Sequence, residues 1–258
     1  MGERTSHDPG TISWTDLETT DQEGAKAFYG GLFGWEYEDM PVGEGASYSM
    51  AKLGGRSAAA MSGQRAADAE AGVPPHWNVY VTVEDVDASA RQVSEAGGQL
   101  YAEPFDVFDA GRMAVLADPA GAALSLWQPG TNIGAEIVNV PGAMTWADCA
   151  STDPAAAQAF YASLLGWRFE QMSEQPPYWV IGNGERSQGG LTQPPAEMPS
   201  AWFPYFGVIG LEETMQTARA TGGTPFLGPV DVWEDSRFAI MHDPQGALFA
   251  IFEGAFDD

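Results

Sequence analysis

Trp14-Thr15-Asp16-Leu17-Glu18-Thr19-Thr20-Asp21 leads into Ala25-Lys26-Ala27-Phe28-Tyr29-Gly30-Gly31-Leu32-Phe33-Gly34-Trp35. The stretch Thr11 to Leu17 alternates as a strand does. Asp21 then stands where a carboxylate caps the free N–H groups of a helix, with Glu23 in the first turn against the helix dipole. Ala25, Phe28, Tyr29, Leu32 and Phe33 fall at three- and four-residue spacing, which predicts an amphipathic helix stopped by Gly34.

The same text occurs twice. Trp146-Ala147-Asp148, Ala159-Phe160-Tyr161 and Leu164-Leu165-Gly166-Trp167 repeat it 132 residues further on. Downstream, Gly97-Gly98 recurs as Gly222-Gly223, and Asp118-Pro119-Ala120-Gly121 as Asp243-Pro244-Gln245-Gly246, now 125 residues apart. Repeats this long, shifted by small deletions, indicate internal duplication. Each copy divides again into strand, capped helix and further strands. In the second part of the first copy, Trp77 to Val83 reads as a strand and Asp85 opens a helix that ends at Gly97-Gly98. Met113 to Ala117 and Ala122 to Trp127 then flank the Asp-Pro turn. The second copy follows with Trp202 to Val208, a helix to Ala220, Phe238 to Met241 and Ala247 to Phe252.

The expected fold class is therefore α+β: four βαβββ modules, 9–63, 74–130, 141–193 and 200–254, forming two domains, 9–130 and 141–254. Linkers are expected near Gln64 to Pro75, Pro129 to Pro141 and Pro194 to Pro199. One module leaves a sheet face bare, so modules must pair, curling their sheets into an open barrel around a cleft with helices outside. The sequence leaves open which modules pair.

Composition limits the partners. Hydrophobic residues make up 44% of 258 and aromatics 12%, enough for a packed core. Against 11 Lys+Arg stand 36 Asp+Glu, a formal charge of -25 that repels nucleic acid and anionic membranes. No apolar run is long enough for a membrane span. Cys149 stands alone, so neither an intrachain disulfide nor a Cys-x-x-Cys zinc site is available. The start, Met1-Gly2-Glu3-Arg4, lacks the apolar stretch of a signal peptide, and the expected location is cytoplasmic. Asp257-Asp258 reads as a solvated acidic end.

The Phe28-Tyr29…Leu32-Phe33-Gly34-Trp35 block, its copy around Phe160-Tyr161, and the two Asp-Pro-x-Gly turns resemble the vicinal-oxygen-chelate (glyoxalase/bleomycin resistance/dioxygenase) superfamily. Trp14-x-Asp16-Leu17-x-Thr19-x-Asp21 and Asp109-Ala110-Gly111-Arg112 resemble its two-domain glyoxalase-like subgroup in actinobacteria. The resemblance implies metal-ligand positions on the first and last strands of a module pair. These fall on Trp14, Asn78 and Ser125 in the first copy and on Trp146, Phe203 and Ala250 in the second. Trp, Phe and Ala cannot hold a divalent ion, and Asn and Ser are weak ligands. His7, His76 and His242 lie apart, with no ligand spacing among them. No metal and no cofactor is expected.

Strand alternation supplies a different cleft lining. It places Trp14, Asp16, Asn78, Tyr80, Ser125 and Trp127 on inward faces of the first domain. In the second, Trp146, Asp148, Phe203, Tyr205 and Phe252 take these places. Aromatic walls suit flat or conjugated ligands, and a carboxylate recurring on an apolar strand must be paired or used. Arg112 and Arg237, at equivalent places, are candidate partners for Asp16 and Asp148. The same aromatic residues are equally suited to core packing.

Three functions fit. One is metal-independent binding of a small aromatic or conjugated metabolite in one or both clefts. The alternative is a metal-free enzyme of secondary metabolism, lyase-, cyclase- or hydroxylase-like, using Asp16, Asp148, Tyr80 or Tyr205 as acid or base. The last is a metal-dependent glyoxalase with unexpected ligands. A small molecule is the expected partner, and the chain is expected to be a monomer or a homodimer.

Overall fold

The computed structural model describes residues 2–43, 45–196, 198–233 and 235–256, the last stretch stopping short of the Asp257-Asp258 end. The first module runs β1 (Ile12–Thr19), α1 (Gln22–Phe33), β2 (Glu36–Gly43), β3 (Ala46–Leu53) and β4 (Arg56–Gly63). A short helix not anticipated from sequence, α2 (Ala66–Glu70), occupies the linker. The second module follows with β5 (His76–Thr82), α3 (Val86–Val93), β6 (Gln99–Val107), β7 (Gly111–Ala117) and β8 (Ala123–Pro129). The third comprises β9 (Met144–Ala150), α4 (Pro154–Leu165), β10 (Arg168–Glu174), β11 (Pro177–Asn183) and β12 (Arg186–Thr192). The fourth comprises β13 (Ala201–Gly207), α5 (Leu211–Ala220), β14 (Thr224–Trp233), β15 (Ser236–His242) and β16 (Leu248–Glu253).

The helix signals act as the sequence suggests. Asp21, Asp85 and Asp153 each accept a backbone N–H three residues on, and Gly34 and Gly166 end their helices in the left-handed conformation. Consecutive modules pair. The first sheet runs β2-β3-β4-β1-β5-β8-β7-β6 and the second β10-β11-β12-β9-β13-β16-β15-β14. In each, the opening strands of two modules lie antiparallel at the centre (β1 with β5, β9 with β13), and each is flanked by a parallel partner. The result is two curled mixed sheets, each with a concave face and a helix-covered back.

One apolar core runs behind both sheets. Phe28, Tyr29, Phe33 and Trp35 of the first module pack with Phe206 and Phe249 of the fourth, the Phe33 and Phe206 rings 4.8 Å apart. Two reciprocal indole bonds lock the halves: Trp35 Nε1 donates to Gly142 O and Trp167 Nε1 to Gly10 O, both at 2.7 Å. The Asp of each Asp-Pro-x-Gly turn holds its own turn through backbone N–H groups. Asp243 also accepts Tyr29 Oη at 3.0 Å, and that phenol in turn receives Trp77 Nε1 at 3.0 Å. The Gly-Gly pairs do more than end helices. A Cβ on Gly98 would lie 2.5 Å from the Phe160 ring, so glycine admits the ring from the other half.

Candidate functional site: two carboxylate-centred aromatic boxes

The concave face of the first sheet gathers Trp14, Met50, Ala60, Tyr80 and Trp127 into a cluster separate from the main core, with Tyr48 and Met113 packed on it. Register explains the assembly. Trp14 lies opposite Tyr80, and Tyr80 opposite Ser125, so three strands contribute one row. One pleat along, Asp16 faces Asn78 and Ala60. Asp16 is 5% exposed and accepts three side-chain hydrogen bonds: Tyr48 Oη and Tyr80 Oη on Oδ2, both at 2.8 Å, and Asn78 Nδ2 on Oδ1 at 2.9 Å. Trp14 Nε1 completes the chain by donating to Tyr48 Oη at 3.1 Å. Trp127 stands edge-on to Tyr80.

The second sheet builds the same device from a different lining. Asp148 accepts Trp146 Nε1 (3.0 Å) and Tyr178 Oη (3.0 Å) on Oδ1, and Tyr205 Oη (2.7 Å) on Oδ2. Phe203 replaces Asn78 and stacks on Tyr205, with ring centres 5.6 Å apart. Ala250 replaces Ser125 opposite Tyr205, and Phe238 and Phe252 close the wall. The lining is thus less polar, and its polar atoms are the Trp146 indole N–H, the two phenol oxygens and one carboxylate.

Burial drives both carboxyls upward, against the pull of the hydrogen bonds they accept. For Asp16 the net direction is up. Asp148 is pushed up to about 6, with Tyr205, Tyr178 and Trp146 opposing the shift. The phenols of Tyr48, Tyr80, Tyr178 and Tyr205 are raised by burial and by the adjacent carboxylate, so they stay protonated and donate.

With this geometry in view, the comparisons are specific. Residues 11–126 match the model of the Glyoxalase/Bleomycin resistance protein/Dioxygenase superfamily, and residues 144–252 that of the Glyoxalase-like domain. The Mycobacterium tuberculosis protein CFP32, whose name proposes a glyoxylase, is 41% identical over 259 residues, 99% of each chain. The chain belongs to this superfamily. A second relative, the anthracycline biosynthesis protein DnrV of Streptomyces peucetius, is 31% identical across 95% of this chain and 94% of its own. The Mn(II)-bound glyoxalase from Novosphingobium aromaticivorans superposes with a TM-score of 0.65 at 13% identity, covering 100% of this chain and 85% of that one. The 2,2',3-trihydroxybiphenyl 1,2-dioxygenase of Sphingomonas wittichii strain RW1 gives 0.66 at 13% identity, over 96% and 92%. These two likenesses are of fold.

The metal that the superfamily implies does not fit the residues present. Trp14 and Ser125 flank Tyr80 in one row with Asn78 a pleat away, and Trp146, Ala250 and Phe203 stand likewise about Tyr205. Neither set offers an imidazole, thiolate or carboxylate. Among the described residues, no group of three or more His, Cys, Asp or Glu could hold an ion. The nearby Asp16 and Asp148 are each committed to three donors.

One expectation is corrected. Arg112 and Arg237 do not reach the buried aspartates. Arg112 pairs with Asp87 and Asp106, and Arg237 with Glu212 and Glu253, on the helix-covered side. Alternation is the reason: each Arg adjoins a concave residue, Met113 or Phe238, and so points the other way. The aspartates are satisfied by phenols and N–H donors instead.

Tyr48 and Tyr178 were missed. They lie on β3 and β11, whose faces the sequence does not order, yet each supplies a donor to the carboxylate of its own sheet. Their recurrence at matching places in the duplicated text was the available signal. Gly190 was missed as well. An added Cβ there would run into Asp148 Oδ1 and Tyr178 Oη, whereas the equivalent Ala60 is accommodated. His76 opens β5, His242 ends β15 beside Phe226, and His7 bonds Ala135 O.

Proposed function

We propose that the protein binds a small aromatic or conjugated metabolite without a metal, in one or both of the clefts of units 9–130 and 141–254. The observation that carries this is the pair of aromatic boxes, each centred on a buried carboxylate held by phenols rather than by a cation. Each box has more apolar surface beside it. Met40 lies opposite Tyr48, and Phe105 opposite Met113, each about two-fifths exposed on the arms of the first sheet. Leu227, opposite Ile240, does the same in the second. Exposed apolar side chains converging on a concave face are what a flat ligand would cover. That a 31% identical relative is named for anthracycline biosynthesis supports a conjugated ligand.

Ligand contact in this reading is through ring faces and phenol oxygens, because the carboxylates are already engaged. A cytoplasmic location belongs to the same proposal, supported by a single cysteine that is buried and unpaired. A monomer or homodimer is sufficient, since each cleft is built within one chain.

A second reading has its own observation. Asp148, held near 6, can exchange a proton close to neutral pH and is hydrogen-bonded to the Tyr178 and Tyr205 phenols. That would suit metal-free acid–base chemistry on a bound metabolite. Tryptophan-quenching titrations against conjugated metabolites, with product analysis of any ligand found, test both. Asp148→Asn separates them: binding persists under the first reading, and turnover collapses under the second. Elemental analysis of the purified protein giving about one zinc, nickel, iron or manganese per domain would overturn the metal-free reading.

A further inference from the structure

A row of side chains beside the first box carries charge that the second sheet does not repeat. Register sets it out: Met40 faces Tyr48, Tyr48 faces Ser62, Ser62 faces Glu18, and Glu18 faces His76. Partners in register share a face, and Tyr48 reaches Asp16, so the row lies on the concave side. It stands one pleat beyond Asp16, on the side away from Trp14. Ala135 and Val138 pack at the opposite end of β1, where Ala135 N donates to Ser13 O and Glu136 N to Ser57 O, both at 2.8 Å. The row crosses five adjacent strands, roughly 19 Å at about 4.8 Å per strand. Tyr48, Ser62, Glu18 and His76 are half-buried, and Met40 is 40% exposed. The matching row of the second sheet reads Ser173, Tyr178, Thr192, Ala150 and Ala201, with no group charged at neutral pH.

Glu18 lacks a partner. Among the described residues, no hydrogen bond or ion pair reaches its carboxylate. Burial pushes this carboxyl up, His76 pulls it down, and Asp16 pushes it up again. Arg65 and Asp68 act on it in opposite senses and pair with each other at 2.6 Å. His76 Nδ1 meets Pro74 O at 2.9 Å. A carbonyl only accepts, so in the neutral ring Nδ1 carries the proton and Nε2 is an acceptor. The row thus sets a carboxylate, an imidazole nitrogen and a hydroxyl next to the Tyr48 ring and the Met40 thioether.

Resting on the binding reading above, we propose that the first cleft binds a planar aromatic carrying a primary amine, and that Glu18 selects it. An ammonium has three N–H donors and no acceptor, which matches the Glu18 carboxylate, His76 Nε2 and Ser62 Oγ. Its positive charge supplies the partner that Glu18 lacks within the chain, and a half-buried carboxylate gains more from a cation than a fully solvated one does. The ring lies along Tyr48 toward Met40, whose exposed thioether it covers. The second sheet, with Ala150 and Ala201 in place of Glu18 and His76, makes no such selection.

Quenching of tryptophan emission by 1-pyrenemethylamine and by neutral 1-pyrenemethanol compares one ring with and without the charge. In about 0.15 M salt, which screens the acidic surface beyond about 8 Å, the amine is expected to bind about tenfold more tightly than the alcohol. Glu18→Gln should abolish that preference and leave affinity for the alcohol unchanged, which also reports that the variant is folded. Glu95→Gln removes the same charge from an exposed site just past α3 and should keep the preference. A preference that survives Glu18→Gln, or that falls equally in both variants, would overturn the assignment. Equal binding of the two probes to the wild type would overturn it as well, with the binding reading left in place. Binding of neither probe would refute both.

Discussion

Replacing Asp148 with Asn removes a charge that the fold holds unfavourably at neutral pH, and the size of the effect follows from its surroundings. The folded carboxyl is raised to about 6, chiefly by burial. In the unfolded chain an aspartate titrates near 3.9. Between these values the folded state binds more protons than the unfolded one. The contribution of this group to stability is therefore complete below about pH 4 and is lost as pH rises through about 6. Two units of difference at roughly 1.36 kcal/mol each amount to about 3 kcal/mol lost by neutrality. An Asn side chain keeps the shape. Its Oδ1 can accept from Trp146 Nε1 and Tyr178 Oη, and Tyr205 Oη can turn to accept from its Nδ2. The variant should thus gain on the wild type by up to about 3 kcal/mol between pH 4 and pH 7.5. Urea unfolding of both proteins across that range measures it. The difference between them matters, because it cancels the titration of the other carboxylates in a chain with 36 Asp+Glu. A difference that is flat with pH, or that shrinks as pH rises, would show that burial does not hold this carboxyl above its ordinary range.

Other outcomes follow from the same geometry. Gly190→Ala places a methyl against Asp148 and Tyr178 and should cost about 1–3 kcal/mol in thermal or chemical denaturation, with the box distorted. Tyr29→Phe leaves both Asp243 Oδ2 and Trp77 Nε1 without their partner in the shared core. It should cost about 2–4 kcal/mol and still give one calorimetric transition; two separated transitions would contradict the continuous core. Arg112→Ala and Arg237→Ala should leave ligand affinity unchanged in the quenching titration, since both guanidiniums pair with carboxylates behind the sheets. A loss of affinity in either would place that arginine in the cleft after all.

The sequence by itself determined the fold to an unusual depth, because duplication let one reading check another. Asp21 and Asp153 cap equivalent helices, Gly34 and Gly166 end them, and the Asp-Pro-x-Gly turns each precede a last strand. All of these are local rules, satisfied by neighbours a few residues away. Alternation likewise placed Trp14, Asp16, Asn78 and Tyr80 on inward faces, since period two needs no tertiary information. What a carboxylate touches is another matter. Asp16 meets Tyr48 from 32 residues away and Tyr80 from 64, and only strand order and register decide that these phenols, and not Arg112, arrive. The Gly98 and Gly190 requirements arise from rings and carboxylates approaching from other strands or the other half. The pairing of modules, and the burial of Ala135 and Val138 against the first box, were also settled by tertiary structure. Nearly identical local text can meet different neighbours in its two copies, because contacts across strands depend on where the rest of the chain is led.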